Sequence, residues 1–415
     1  MQRVLIVAYH FPPQSGSSGF LRALKFSRYL IEYGWRSVVL TVHERAYEKL
    51  DSQQLSNISP EVSVIRAFAL DTKRHLSIRG RHLRALALPD RWASWCLGAL
   101  PAGLRAIRAN RINVILTTFP IATAVLIGFL LHRATGKPWV IDFRDSMTEE
   151  EYPRDERTRR IYRWIEKQAI RYGARWIFTA ESARRMYLNR YPSLSPEKCL
   201  VIHNGYDEED FKDLVPIQRN RGAGGPLRLL HSGLIYQEER DPKPFFRTLA
   251  KLKNEHQISA EKLRIDLRAS GSEAEYSRCL RELGVDDIVH LLPALPYREA
   301  LQDSACADGL LLMQAASCNH QIPAKAYEYM RIRKPILALT PQEGDTGRLL
   351  HKVGGTTIVN LADEAAMYHA LPQFLHSVSA GNHPFPDPQE VERYTRRNQA
   401  GDLAACLQQV AAERA

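Results

Sequence analysis

Short apolar runs of four to seven residues recur along this chain, each followed by a stretch with helical spacing. That alternation most restricts the possible folds, because it is the signature of parallel α/β sheets with crossover helices. The apolar runs read as strands at Arg3–Tyr9, Val38–Val42, Val62–Phe68, Val114–Thr118, Trp139–Asp142, Trp176–Thr179 and Leu200–His203. Helices fall between them, notably at Ser18–Tyr33, Arg154–Gly173 and Ser182–Tyr191. Around Arg219 to Pro226, where Gly222, Gly224 and Gly225 cluster, the pattern reads as a linker. It then restarts, with strands expected at Leu227–His231, Leu263–Ala269, Ile288–Leu292, Gly309–Met313, Pro335–Leu339 and Thr356–Val359. With 415 residues there is room for two cores. The expectation is two Rossmann-like domains facing a cleft, residues 1–215 and 216–387, followed by a helical tail over 388–415.

One segment competes with this reading. Val114 to Leu131 is apolar or hydroxylic throughout and is long enough for a membrane span. Pro120 and Gly128 interrupt it, and it divides into a strand and a helix, Ile121 to His132, so a buried βα unit is the favoured reading. The N-terminus lacks the layout of a signal peptide. The six cysteines are scattered without a CxxC pair, which argues against a zinc site and for a reducing compartment.

Charge is unevenly placed. Through Lys212 there are 33 Lys and Arg against 21 Asp and Glu, so the whole net charge of +11 resides in the first half. Its densest part, from Lys73 to Arg91, mixes Arg74, Arg79, Arg81 and Arg84 with Leu76, Ile78, Leu83 and Leu86. Such a mixture fits either a solvated arginine face or a surface resting on anionic lipid headgroups.

Chemistry-bearing residues concentrate at expected strand ends. After the first strand comes Gln14-Ser15-Gly16-Ser17-Ser18-Gly19, then a helix with Arg22. The Gly16-x-x-Gly19 spacing is not the dinucleotide fingerprint, and no acid closes the second strand, which disfavours an NAD site. Asp142-Phe143-Arg144-Asp145 and His203-Asn204-Gly205-Tyr206-Asp207 end two further strands. Each reads equally as local structure: an Asp–Arg pair and a plain turn. In the second half, His231-Ser232-Gly233, Arg240-Asp241-Pro242 and Ser270-Gly271 share one sheet edge with Pro323-x-Lys325-x-x-Glu328. Pro323 suits the first turn of a helix, and a helix start beyond a strand end can bind phosphate. Lys325 and Glu328, three apart, lie on one helical face and also fit an ordinary surface ion pair.

Together these residues resemble the glycosyltransferase family 4 type of GT-B enzymes, over nearly the whole chain. The carriers are Tyr9-His10-Phe11-Pro12-Pro13 with Gly16, Gly19 and Arg22, then Pro89-Asp90-Arg91-Trp92, Asp142-Phe143-Arg144-Asp145 and His203-Asn204-Gly205. In the second half they are Ser232-Gly233, Arg240-Asp241-Pro242, Pro323-x-Lys325-x-x-Glu328-Tyr329 and Lys334-Pro335-Ile336. The resemblance implies a C-terminal domain binding a nucleotide-sugar and an N-terminal domain binding the acceptor. It further implies sugar transfer with retention at the anomeric carbon.

Carried over, Glu328 would hold the donor ribose, while Arg240 and Lys325 hold the diphosphate and, with Asp142, form the catalytic set. Gly233, Gly271 and His320 complete the donor side. Gly16, Gly19, Arg22, Arg144, Asp145 and Asn204 line the cleft and acceptor side. Two positions depart from the family pattern: His320 stands where many relatives have glutamate, and Leu234 where many have arginine. No D-x-D motif occurs, so neither metal nor cofactor is expected. The expected partners are a nucleotide-sugar, a glycan or lipid-linked acceptor and an anionic membrane surface, with no nucleic acid. The expected location is cytoplasmic, peripheral at the inner face of the cytoplasmic membrane. A GT-B nucleotide-sugar epimerase and a non-catalytic GT-B subunit are the alternatives.

Overall fold

The computed structural model describes residues 1–15, 18–149, 152–215, 225–236 and 240–413. Of the expected linker, residues 219–224 lie outside the described residues, as does Gly16. The described chain divides into two compact units, Met1–Asn204 with Arg396–Ala415, and Gly205–Thr395.

The first unit holds a seven-stranded parallel sheet, in the order β3-β2-β1-β4-β5-β6-β7. Its strands are β1 (Gln2–Val7), β2 (Trp35–Val42), β3 (Ser63–Ala67), β4 (Val114–Phe119), β5 (Trp139–Phe143), β6 (Arg175–Phe178) and β7 (Cys199–Val201). The second unit repeats the plan with six strands, ordered β10-β9-β8-β11-β12-β13. These are β8 (Leu227–Ser232), β9 (Leu263–Arg268), β10 (Val289–Leu292), β11 (Gly309–Met313), β12 (Ile336–Leu339) and β13 (Thr356–Val359). All pairings between these strands are parallel. In each unit the first strand has neighbours on both sides and the direction in which successive strands are added reverses there, between β1 and β4 and between β8 and β11. Open α/β sheets bind ligands at the carboxyl ends of strands at such switch points.

The apolar runs form central strands because both sheet faces are covered. In the second unit Leu229, Leu311, Met313, Leu337 and Leu339 join a core with Phe245, Phe246, Leu249 and Phe374 from two helices, Lys243–Asn254 and Glu364–Ser379. The alternate positions Leu230, Leu310, Leu312 and Ile336 are equally buried. Each such side chain contributes roughly 1.5–3 kcal/mol when fully buried.

The Val114–Leu131 run resolves into β4 and the helix Ala122–Thr135, both buried in the first unit. No helix among the described residues is long and apolar enough to cross a membrane, which removes the membrane-span alternative. Gly128 has a packing reason: a Cβ there would lie 2.1 Å from Thr117 Cγ2 and 2.7 Å from Trp139 Nε1.

The tail differs from its expected place as a separate element. The helix Arg396–Ala412 puts Ala400, Leu403, Leu407 and Val410 into the first unit's core, beside Leu24, Phe26 and Tyr29. The 3- and 4-residue spacing of those positions makes an apolar stripe, and burial of that stripe draws the tail to the first unit. Its Gln399 amide donates to the Asn204 carbonyl at 2.8 Å.

Candidate functional site

In the second unit, β8 and β11 open onto a cluster of cationic and backbone donors. Ser232 ends β8 and Gly233 follows with φ +112°, a conformation that favours glycine. A Cβ at Gly233 would stand 3.1 Å from Lys325 Nζ, so glycine here also makes room for the amine. Lys325 lies in the first turn of the helix Ala324–Ile332, whose N-cap is Pro323 with extended backbone (φ −65°, ψ 140°) and no side-chain cap. Proline offers the first N–H groups of that helix no side-chain oxygen, although the Ala326 N–H donates to the Pro323 carbonyl at 2.9 Å, and the positive end of the helix dipole lies beside the amine.

Beneath the amine is His231, fully buried on β8. Its Nδ1 donates to the Leu311 carbonyl across the switch point at 2.9 Å, which leaves Nε2 to accept from Lys325 Nζ, also at 2.9 Å. Burial, and next the charge of Lys325, hold this imidazole well below its ordinary pKa, so it is neutral. Burial likewise lowers Lys325 to about 7; the Arg240 guanidinium pushes the same way and the Glu328 carboxylate opposes it.

Arg240 donates to the Leu234 carbonyl at 3.2 Å and lies over the Tyr236 ring at 5.5 Å. Its Nε is buried without a hydrogen-bond partner among the described residues. Two cations are thus held close enough to disfavour each other, an arrangement that an anion would relieve.

Glu328, one turn along the helix, accepts from the Tyr297 hydroxyl at 2.9 Å. Tyr329 is buried and its hydroxyl accepts the Ser232 N–H at 3.0 Å, tying the helix to the end of β8. Beyond β9 the backbone has positive φ at Ala269 (52°), Gly271 (70°) and Ser272 (52°). Gly271 donates its N–H to Glu273 at 3.0 Å.

His320 is partly buried in the turn before the helix, near the Gln321 amide at 3.5 Å. That turn is pinned from below by buried Gln314, which donates to the carbonyls of Cys318 (2.7 Å) and Gln321 (2.9 Å).

The predicted residues of the first unit are organised around Arg22. It donates in fork geometry to Asp142, both contacts at 2.8 Å, and to the carbonyls of His203 (2.7 Å) and Ile202 (2.9 Å). Asp142 is 1 % exposed. Its charge is therefore balanced within the fold, and the pair locks the first helix to the ends of β5 and β7.

Arg144 donates to the Gly19 carbonyl at 2.6 Å and leaves its Nε unpartnered among the described residues. Burial lowers its pKa while Asp145 and then Asp142 raise it. Burial, and then Arg144, lower His10 to about 4, although Gln14, bonded to its Nδ1 at 2.7 Å, opposes this. Asn204 caps this end through the carbonyl that Gln399 reaches.

Sequence reasoning assembled Gly233, Arg240, Gly271, Lys325 and Glu328 at one edge, but missed the roles of His231 and Tyr297. His231 had a signal, since it immediately precedes Ser232-Gly233. Tyr297 had none.

Residues 10–205 match the family described as Glycosyl transferase 4-like domain. No curated protein sequence matches the chain. Among solved structures, sucrose-phosphate synthase from Thermosynechococcus elongatus superposes with TM-score 0.66 at 15% identity, covering 100% of each chain. HepE from Anabaena, in complex with UDP and glucose, gives 0.65 at 13% identity, over 99% of this chain and 100% of that one. WaaG, a glycosyltransferase involved in lipopolysaccharide biosynthesis, gives 0.60 at 13% identity, over 99% of both. Residues 10–205 are thus similar to the glycosyl transferase 4-like domain, and the whole chain shares the fold of these solved structures.

Proposed function

We propose that this chain transfers a sugar from a nucleotide-sugar donor to a glycan or lipid-linked acceptor, with retention at the anomeric carbon and without a metal ion. The observation that carries this reading is the Lys325–Arg240 pair beside Gly233 and a helix start without a side-chain cap at the β8/β11 switch point. That is a site for a diphosphate. Glu328, held by Tyr297, would accept hydrogen bonds from the ribose hydroxyls. Gly271 would admit the nucleotide close to the backbone, and His320 would face the transferred sugar. That the HepE structures contain UDP, UDP with glucose, or UDP-glucose supports uridine donors as the first to try.

In the proposed step the acceptor hydroxyl oxygen bonds to the anomeric carbon as the bond from that carbon to the diphosphate oxygen breaks. The departing phosphate takes the hydroxyl proton on the same face, so no enzyme nucleophile is needed. Lys325 and Arg240 would stabilise the charge that grows on the diphosphate, which is where preorganised cations lower a barrier. On the acceptor side we assign Gly16, Gly19, Arg144, Asp145 and Asn204. Arg22 with Asp142 would position that side rather than touch substrate. A lipid-linked precursor of a surface polysaccharide would bring the enzyme to the inner face of the cytoplasmic membrane.

A thermal-shift screen against UDP-, GDP- and ADP-sugars tests donor binding, because a ligand of the folded state raises its apparent stability. One donor class should raise the midpoint, and the product from a matching acceptor should keep the donor's anomeric configuration by NMR, with EDTA present. No shift with any donor would favour a non-catalytic subunit. Isomerised sugar nucleotide formed without acceptor would establish an epimerase.

A further inference from the structure

The first unit carries the chain's entire excess of positive charge, and two of its surfaces combine that charge with exposed apolar side chains. The first is the helix Glu156–Tyr172, which buries Tyr162, Ile165, Glu166 and Ala169. At 100° per residue, Arg157, Arg160, Arg163, Trp164, Lys167 and Arg171 fall within an arc of about 120° on its other side, and all six are exposed. Glu156, at the start of the helix, is the acidic residue on that arc. Trp164 is 48 % exposed although Trp35, Trp95, Trp139 and Trp176 are buried. Its ring stands edge-on to Phe129 at 6.0 Å, fixed at its base with the remainder presented outward.

The second surface is the segment after the helical turn Thr72–His75. An antiparallel bridge joins Ile78 to Arg81, and Arg79 (φ 51°) with Gly80 (φ 77°) closes a hairpin turn between them. Ile78 at its base is 80 % exposed, and Leu83 just beyond it is 71 % exposed, flanked by Arg79, Arg81 and Arg84. The charge of one surface reaches the start of the other. Asp155 caps the basic helix, and its carboxyl is held low first by the Thr158 N–H and hydroxyl and further by the charge of Arg84.

We infer that the helix Glu156–Tyr172 and the turn around Ile78–Leu83 form a docking surface for an anionic phospholipid bilayer. Arginines and lysines on one helical face match anionic headgroups, and a half-exposed tryptophan among them suits the interface between headgroup and acyl chain. Ile78 and Leu83 decide between polyanions, because aliphatic side chains on a projecting turn gain from acyl chains and not from a nucleic-acid backbone. This deepens the reading of a lipid-linked acceptor, on which it rests for its partner, but its readout needs no turnover.

The test is flotation of the full chain with vesicles of phosphatidylcholine alone and of phosphatidylcholine mixed with phosphatidylglycerol. Binding should occur on the mixed vesicles only and weaken with salt. It should be accompanied by a blue shift of tryptophan emission that Trp164→Phe removes. The triple variant Arg160→Glu, Arg163→Glu, Lys167→Glu should bind at least roughly tenfold more weakly, and Ile78→Ser with Leu83→Ser should also reduce binding while the unfolding midpoint is kept. Equal binding to both vesicles, binding to neither, full binding by the triple variant, or preference for a DNA duplex over vesicles would each overturn the inference. A UDP-glucose thermal shift run in parallel separates the two readings, since losing vesicle binding alone leaves donor binding standing.

Discussion

On the proposed donor site, Lys325 should make donor binding a proton-uptake reaction. Its amine has a pKa of about 7 in the ligand-free fold, lowered chiefly by burial and next by Arg240. At pH 6 it is charged; at about pH 8.5 only some 3 % of molecules carry the proton. A diphosphate beside the amine restores a high pKa, so the bound state is charged throughout this range. Affinity should therefore be flat below about pH 6.5 and fall toward tenfold per unit above 7. That amounts to roughly 30-fold, or about 2 kcal/mol, by about pH 8.5 at 1.36 kcal/mol per unit. His231 does not contribute here, because it is already neutral.

The assay is calorimetric titration with a nucleotide-sugar whose phosphates are diesters and do not titrate in this window, in two buffers of different ionisation enthalpy. Uptake should approach one proton per donor bound at about pH 8.5. Lys325→Arg supplies a cation charged at all these pH values and should flatten the profile. A flat profile in the natural protein, or proton release on binding, would refute the reasoning. The same amine sets the sign for folding. Between about 7 and 10.5 the unfolded chain holds the proton and the ligand-free fold does not, so its stability should rise with pH across that interval.

Three further outcomes are expected. Lys325→Ala and Glu328→Ala should each lower kcat/KM by at least about tenfold, roughly 1.4 kcal/mol; wild-type rates in both would sink the donor assignment. Gly233→Ala must adopt φ +112° and put its methyl 3.1 Å from Lys325 Nζ, so donor affinity by calorimetry should fall about tenfold, a strain of order 1–3 kcal/mol. Arg22→Ala leaves Asp142 buried without its partner and should destabilise the first unit by about 3–5 kcal/mol; denaturant unfolding that matched the natural protein would show the pair to be dispensable.

The strands were legible because a parallel strand covered on both faces must be apolar end to end, as Gly309–Met313 is. Gly233 and Gly271 were legible as strand-end glycines, and their positive φ is what the structure adds. What local pattern could not tell was which surface an element packs on. The spacing of Leu403, Leu407 and Val410 announces a buried helical stripe, yet nothing in it says that the stripe belongs to the first unit's core.

The same limit applied to Lys325, whose spacing from Glu328 suited a surface ion pair and a phosphate site alike. Sheet order supports the phosphate site proposed above. Because β8 lies against β11, His231 bonds the Leu311 carbonyl and directs a bare Nε2 at the amine. A surface ion pair has no use for a buried neutral acceptor under its lysine. A phosphate-binding lysine does, because the ammonium has three donors, and committing one to His231 fixes the direction of the other two.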